Sequence, residues 1–338
     1  MRNSIMSGSS KRWLKFAGTG RSLPKLAISS DELNKAHGLA PGYLQSATGV
    51  KTRYVCSTED QIELGRQAAV KALQSAGVEA QEIDMIICAN AVPYQPIPAT
   101  APALQRALGI NDGACFATDV NSTCLSFPVA LQFAQGLIQS EMYRTILIVS
   151  SEVPSRALPW KEAPAVAGLF GDGAGAAVLT AGDRAGIVAS KFTTLPSAYD
   201  ACSLSSGGTR FDFRNEFELF SKHSVFMMDG KELFRVTARA FGSFVDQLLD
   251  DAGTQRHEID RVIAHQASPG GLAHMCKLCN FTNEQVIDIS AKVGNQVAAS
   301  IPFVLDYAFK QGLVSEGNRI LLLGTSAGVS FGGLVMDI

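Results

Sequence analysis

The chain has 338 residues, 46% of them apolar and 18% charged, with a formal net charge of −2. That length supplies two domains of ordinary size or one large α/β unit. A charge so close to zero excludes a nucleic-acid footprint spread along the sequence, and no apolar run approaches the ~18 residues needed to span a bilayer.

In chain order, Met1 to Ser10 are small and polar with no apolar segment behind them, so no secretory signal is expected. The seven cysteines, odd in number and scattered, suit a reducing cytoplasm better than a disulfide framework. A helix-like stretch closes on Ala76-Gly77. Ile83 to Ala89 is then a short apolar run of the kind buried on both faces of a sheet. Asp119 to Pro128 turns an apolar strand into a helix around Cys124. Pro128 to Ile138 is apolar nearly all round and closes on Gly136, which predicts a buried helix. Ile146 to Ser150 reads as another buried strand. The glycine-rich Phe170 to Leu179 opens a strand-like run rather than a helix, so it lacks the geometry of a phosphate loop and reads as a tight turn.

Residues 196–228 have no counterpart earlier in the chain and read as an insertion beside the site. A helix follows Asp229-Gly230 and carries Lys231, Arg235 and Arg239 on one stripe, either a solvated face or a surface for an acidic partner. Arg261 to Ala264 is a strand that ends in His265. Cys276 and Cys279 lie near His274, but no second cysteine pair completes a tetrahedral zinc site, so helical packing is the better reading and no metal is expected. Gly294-Asn295 leads into a second buried helix, Pro302 to Leu313, and Ile320 to Leu323 is the last buried strand.

These elements repeat. Glu82-Ile83-Asp84 and Glu258-Ile259-Asp260 lie 176 residues apart, as do Phe133 to Ile138 and Phe309 to Val314. Arg144 to Val149 echoes Arg319 to Leu323, one residue out of step. Matches in one order at nearly one offset indicate a duplication into halves 1–182 and 183–338. The first half carries Cys124, the second His265 and Asn295. Two such halves stack their central helices into a layered α/β fold.

The duplication organises the chemistry. A thiol at a helix N-terminus feels unpaired backbone N–H groups, which favours the thiolate and can hold an oxyanion on an attached thioester. Alone, Cys124 reads equally as a small buried apolar residue, His265 as a satisfied core histidine and Asn295 as a turn residue. Cys124 and Asn295, however, sit in the loops leading into equivalent helices, so a two-fold relation brings those loops together.

These residues resemble the thiolase superfamily, specifically β-ketoacyl-acyl-carrier-protein synthase III, from about Gly18 to Ile338. The resemblance rests on Asp119 to Phe127, the Gly171-Asp172-Gly173-Ala174-Gly175 run, Met228 to Phe234, His265-Gln266-Ala267 and Gly294-Asn295 with Ala298-Ala299-Ser300. It implies a five-layered αβαβα fold, a homodimer and a ping-pong reaction without cofactor or metal. Cys124 takes an acyl group from a coenzyme A or carrier-protein thioester. His265 and Asn295 then stabilise the enolate formed when a malonyl thioester loses carbon dioxide. The Cys124 N–H and one from the loop holding Ala327 and Gly328 form a second oxyanion hole. Tyr43, Ala47 and Pro164 stand where the family carries a tryptophan and arginines that grip coenzyme A, which points to acyl groups delivered by a carrier protein in a specialised pathway. No glutamate is evident near Tyr94 to Pro98, which weakens a non-decarboxylative head-to-head condensation. Two other readings compete: transfer of the acyl group from Cys124 to a hydroxyl, amine or thiol with His265 as general base, and a non-enzymatic scaffold paired with an active homologue. Release of carbon dioxide from a malonyl thioester separates the first from condensation, and an acyl adduct on Cys124 argues against the second.

Overall fold

The computed structural model describes residues 13–183 and 186–338. The polar N-terminal stretch read above for a signal lies outside the described residues. Two sheets carry the chain. The first runs Trp13–Ser22, Gly173–Gly182, Thr145–Glu152, Met85–Cys88 and Phe116–Asp119 from edge to edge. Met85–Cys88 is parallel to both of its neighbours, and the other pairings are antiparallel. The second runs Arg261–Ala264, Arg319–Ser326, Ser330–Asp337 and Ile187–Thr194, with only its first pairing parallel.

Why these strands are continuous apolar runs follows from what covers them. Met85, Ile87, Ile146 and Ile148 of the first sheet and Ile320 and Leu322 of the second face one shared core. That core is filled by the helices Ser126–Gln139 and Ser300–Lys310. The alternate residues Ile86, Cys88, Leu147 and Val149 pack outward against Gln61–Ala76 and Thr100–Ala107. Val262, Leu321, Leu323 and Val335 do the same against Gly230–Asp251 and Pro269–Cys279. With period two along each strand, both faces are buried, and the result is the five-layered αβαβα stack. No helix among the described residues is long and apolar enough to cross a membrane.

Local chemistry sets the helix ends. Asp60 caps the Gln61–Ala76 helix by accepting the Glu63 N–H at 2.9 Å, and Gly77 stops it at φ 65°. Asp229 caps Gly230–Asp251 through the N–H groups of Lys231 and Glu232, and Gly253 follows its end at φ 59°.

Three expectations change. The glycine-rich run is a strand, not a tight turn: Gly173 opens Gly173–Gly182, and none of Gly171, Gly173 and Gly175 takes a positive φ. Its glycines serve close approach. A Cβ on Gly175 meets the backbone of Pro302–Phe303 at 2.5 Å, so the central helix presses directly onto this strand. The Ser126–Gln139 helix is not buried all round, since Gln132, Phe133 and Gly136 lie on an exposed face and Gly136 sits inside it rather than at its end. Ser300–Lys310, by contrast, is nearly all buried and is followed by Gly312 at φ 65°. Of the repeated segments, Phe133–Ile138 lies within a helix, whereas Phe309–Val314 straddles a helix end.

Candidate active site

The two central helices are entered by turns of one design. Asn121 Oδ1 accepts the Thr123 N–H at 2.9 Å, and Asn295 Oδ1 accepts the Val297 N–H at 2.8 Å. Thr123 and Val297 then take φ values of 49° and 51°, a left-handed backbone rare for non-glycine residues and rarest for branched ones. A single 3₁₀ turn follows each, Thr123–Leu125 and Val297–Ala299, before the helices begin at Ser126 and Ser300. Cys124 and Ala298 are thus structural twins. The two turns pack against each other, which brings the cysteine turn beside the turn that carries Asn295.

His265 completes this corner. Its main chain continues the Arg261–Ala264 strand by donating to Leu323 O at 2.8 Å. Next in that partner strand is Gly324, wedged between the sites: a Cβ there meets His265 Cβ at 3.1 Å and Leu125 Cδ2 at 3.2 Å. A side chain there would crowd both the imidazole and the cysteine turn, and glycine lets them close on one strand. The Asn295 carboxamide is anchored by its oxygen. Its Nδ2 donates to Ala267 O over a long 3.4 Å, and a second amide proton is left for a ligand. Three buried atoms around the corner lack a partner, His265 Nδ1, Thr123 Oγ1 and Asn90 Nδ2, which suits a site that expects a polar guest.

The electrostatics depart from the sequence expectation. Cys124 is half-buried, yet burial pushes its thiol well above the usual range, and the charges of Cys202 and Glu152 push it further. Only its own backbone N–H acts the other way. Desolvation outweighs that one backbone N–H, so Cys124 rests as a thiol. Burial also drives His265 down to about 4, which keeps the imidazole neutral at physiological pH. This neutrality carries a stability signature. The unfolded histidine takes up its proton near pH 6.5, whereas the folded one resists until about 4, so stability is fully present above 6.5 and falls as the pH drops through that window. The loss approaches about 3 kcal/mol at the acid end. Urea unfolding at pH 7 and pH 5 is expected to show this loss in the wild type and a smaller one in His265→Asn.

Outside the corner lies a cavity of about 470 Å³, lined by Ala47, Thr48, Ala165, Met228, Ser268 and Gly270 among others, none of them charged. Its wall also includes Leu169, whose carbonyl accepts the Asn295 N–H at 2.8 Å. Residues 196–228 flank the site, as the sequence suggested: Cys202, on a short strand paired with Met227–Met228, acts on Cys124 through its charge, and Met228 lines the cavity. Just before them, Leu195 bonds Val329 in the turn after Ala327 and Gly328. In that turn Gly328 stands at φ 128°. Lys231, Arg235 and Arg239 are exposed on one helix face together with Phe234, and Arg235 forks onto Glu232 at 2.6 Å. Cys276 and Cys279 are buried in the outer core, and His274 packs against Phe234. Among the described residues no group of three His, Cys, Asp or Glu side chains converges as metal ligands do.

Sequence reasoning missed Glu152, Asn121 and Cys202. Asn121 carried a signal, since Asn121-x-x-x-x-Ser126 repeats as Asn295-x-x-x-x-Ser300. Glu152 and Cys202 carried none, because their closeness to Cys124 comes from packing alone.

A layered stack whose two central helices start at twinned, facing turns defines a thiolase-like condensing enzyme. Residues 118–196 match the family described as 3-oxoacyl-[acyl-carrier-protein] synthase III, and residues 249–338 match its C-terminal part. Two proteins named β-ketoacyl-[acyl-carrier-protein] synthase III are similar over almost the whole chain. That of Clostridium acetobutylicum is 30% identical over 96% of this chain and 98% of its own, and that of Vesicomyosocius okutanii 32% over 96% and 99%. The solved 3-oxoacyl-[acyl-carrier-protein] synthase III of Aquifex aeolicus is 29% identical, covers 96% of this chain and 100% of its own, and superposes with a TM-score of 0.86. The chain belongs to the β-ketoacyl-acyl-carrier-protein synthase III family.

Proposed function

We propose that Cys124 is the acyl carrier of a decarboxylative condensation and that His265 and Asn295 stabilise its enolate. The carrying observation is the pair of facing turns, one holding a thiol and the other a carboxamide, beside an uncharged imidazole. In the first half-reaction the Cys124 sulfur bonds to the acyl carbon of a thioester, the donor's C–S bond breaks, and the thiol proton leaves with the departing thiol. In the second, a malonyl thioester loses carbon dioxide. The neutral His265 and the free amide proton of Asn295 donate to the enolate oxygen, and the enolate carbon bonds to the acyl carbon as the C–S bond breaks, returning Cys124 as a thiolate that takes up a proton from solvent. Neutral donors suit this role because they strengthen as negative charge develops and leave no cation buried in the resting site. The N–H of Cys124 and one from the Ala327–Gly328 turn would hold the oxyanion of the acyl group.

The uncharged wall of the outer cavity favours the neutral pantetheine arm of a carrier protein over the phosphates of free coenzyme A as the acyl source. The exposed stripe of Lys231, Arg235 and Arg239 beside Met228 offers an acidic carrier a docking face. Phe116–Asp119 is an open edge with Phe116 exposed, and pairing it with a second copy extends the sheet into a homodimer. The twinned turns support a division into duplicated halves at 182/183, and seven unpaired cysteines support work in a reducing cytoplasm.

Incubation of the enzyme with an acyl thioester and labelled malonyl thioester tests the reading: one labelled carbon dioxide is expected per β-ketoacyl product. Acylation of Cys124 without carbon dioxide release would sink the condensing assignment and leave transfer to a heteroatom acceptor as the reading to test.

A further inference from the structure

Glu152 ends the Thr145–Glu152 strand, is 2% exposed, and has no part in the steps above. Its Oε1 accepts the N–H of Ala91. The carbonyl of Ala91 accepts from Asn121 Nδ2 at 2.9 Å, and Asn121 Oδ1 accepts the N–H of Thr123, the left-handed residue that swings the chain into Cys124. One hydrogen-bonded chain therefore runs from the carboxyl of Glu152 to the cysteine turn. The neighbouring straps on the same segment are neutral: Ser150 Oγ to Ala89 O at 2.6 Å, and Ser151 N to Asn90 Oδ1 at 2.8 Å.

The second half of the chain builds the same turn without a carboxylate. There Asn295 Nδ2 donates to Ala267 O, as Asn121 does to Ala91 O, but the N–H of Ala267 is taken by the main-chain carbonyl of His265 at 2.9 Å. A neutral acceptor is thus sufficient to form this turn. On the side that carries the sulfur a carboxyl takes that place, and its charge bears on the sulfur.

We propose that Glu152 is a positioning residue for Cys124 whose charge governs the acidity of the nucleophile. Protonated, it still accepts from Ala91 and leaves the sulfur able to ionise; ionised, it holds the same turn and suppresses the thiolate. The proposal rests on Cys124 being the nucleophile. Burial lifts the Glu152 carboxyl to about 8, so its charge changes within the working range of such an enzyme. The groups facing this cluster are Cys124 itself, Cys202 from the short strand across the site, and Asp172, whose buried carboxyl is tied to Cys56 and Ser155. On the strands beside it stand Cys88 and Asp119, the latter committed to the N–H groups of Thr100 and Ala101. Arg156 acts on Cys56. Two anions in so dry a corner oppose each other, so Cys124 and Glu152 titrate as a pair.

Alkylation of Cys124 by iodoacetamide, located by peptide mass spectrometry and followed from pH 6 to 10, reads this coupling. In the wild type the rate is expected to climb over a broad range, wider than one ionisation allows. Glu152→Gln keeps an oxygen for Ala91 and removes the charge, so its curve should be steep, single and about one unit lower, giving roughly tenfold faster alkylation at pH 8. Superimposed curves overturn the proposal. Should Glu152→Gln fail to fold by circular dichroism, the wild-type curve decides alone, and a single-ionisation shape overturns it. Alkylation reports thiol acidity whether or not Cys124 carries acyl groups, so this failure is distinct from a missing acyl adduct, which sinks the reading of Cys124 itself.

Discussion

Cys124→Ala is expected to abolish the acyl adduct formed from a thioester donor and to lower condensation on the order of 10⁴-fold or more, with the fold intact. The size of the effect follows from the proposed division of labour in the site. Without the sulfur there is no covalent carrier, and the remaining donors only polarise carbonyls. The replacement itself is mild, because the twin position in the second half is already alanine, Ala298, in a turn of the same geometry. Intact-mass measurement after incubation with an acyl thioester checks the result. The informative competitor is Cys202, half-buried and close enough for its charge to act on Cys124. An adduct that persists in Cys124→Ala and maps to Cys202 would move the nucleophile across the site.

Asn295→Asp is expected to leave acylation of Cys124 within a few-fold of the wild type while lowering carbon dioxide release by about 10²- to 10³-fold. Aspartate keeps the oxygen that accepts the Val297 N–H, so the turn survives, but it replaces the amide donor with a group that repels an enolate. His265→Ala should show the same split under the proposed role, in which the neutral imidazole donates to the enolate. Rapid-quench measurement of the adduct, set beside labelled carbon dioxide, separates the half-reactions. Equal losses in both steps would show that the pair serves acyl uptake, and the assignment to the enolate would fail.

How far the sequence could be read depended on whether a feature was local. The strands were legible because burial on both faces leaves no polar position in runs such as Met85–Cys88 and Ile320–Leu323. The pairing of Cys124 with Asn295 followed from repeated chain segments, and repetition survives in sequence. Three other things did not follow. The glycine run misled because close approach of a helix and a left-handed turn use the same residue, and only Pro302–Phe303 lying against Gly175 tells them apart. The exposed side of Ser126–Gln139 was hidden because Phe133 is apolar whichever way it points. The acidity of Cys124 could not be read because a helix terminus is written in the sequence, whereas desolvation and the charges of Cys202 and Glu152 depend on distant segments.

Thr123 and Val297 hold strained backbones at the floor of the reaction centre, each at a cost on the order of 1 kcal/mol. Such conformations persist only where surrounding bonds over-determine them, so this floor resists remodelling. The ribbon formed by Cys202–Ser203 and Met227–Met228 belongs to a separate stretch, and Cys202 on it lies close enough for its charge to act on Cys124. Exchange of residues along this ribbon can therefore proceed without disturbing the hydrogen bonds that fix the two turns.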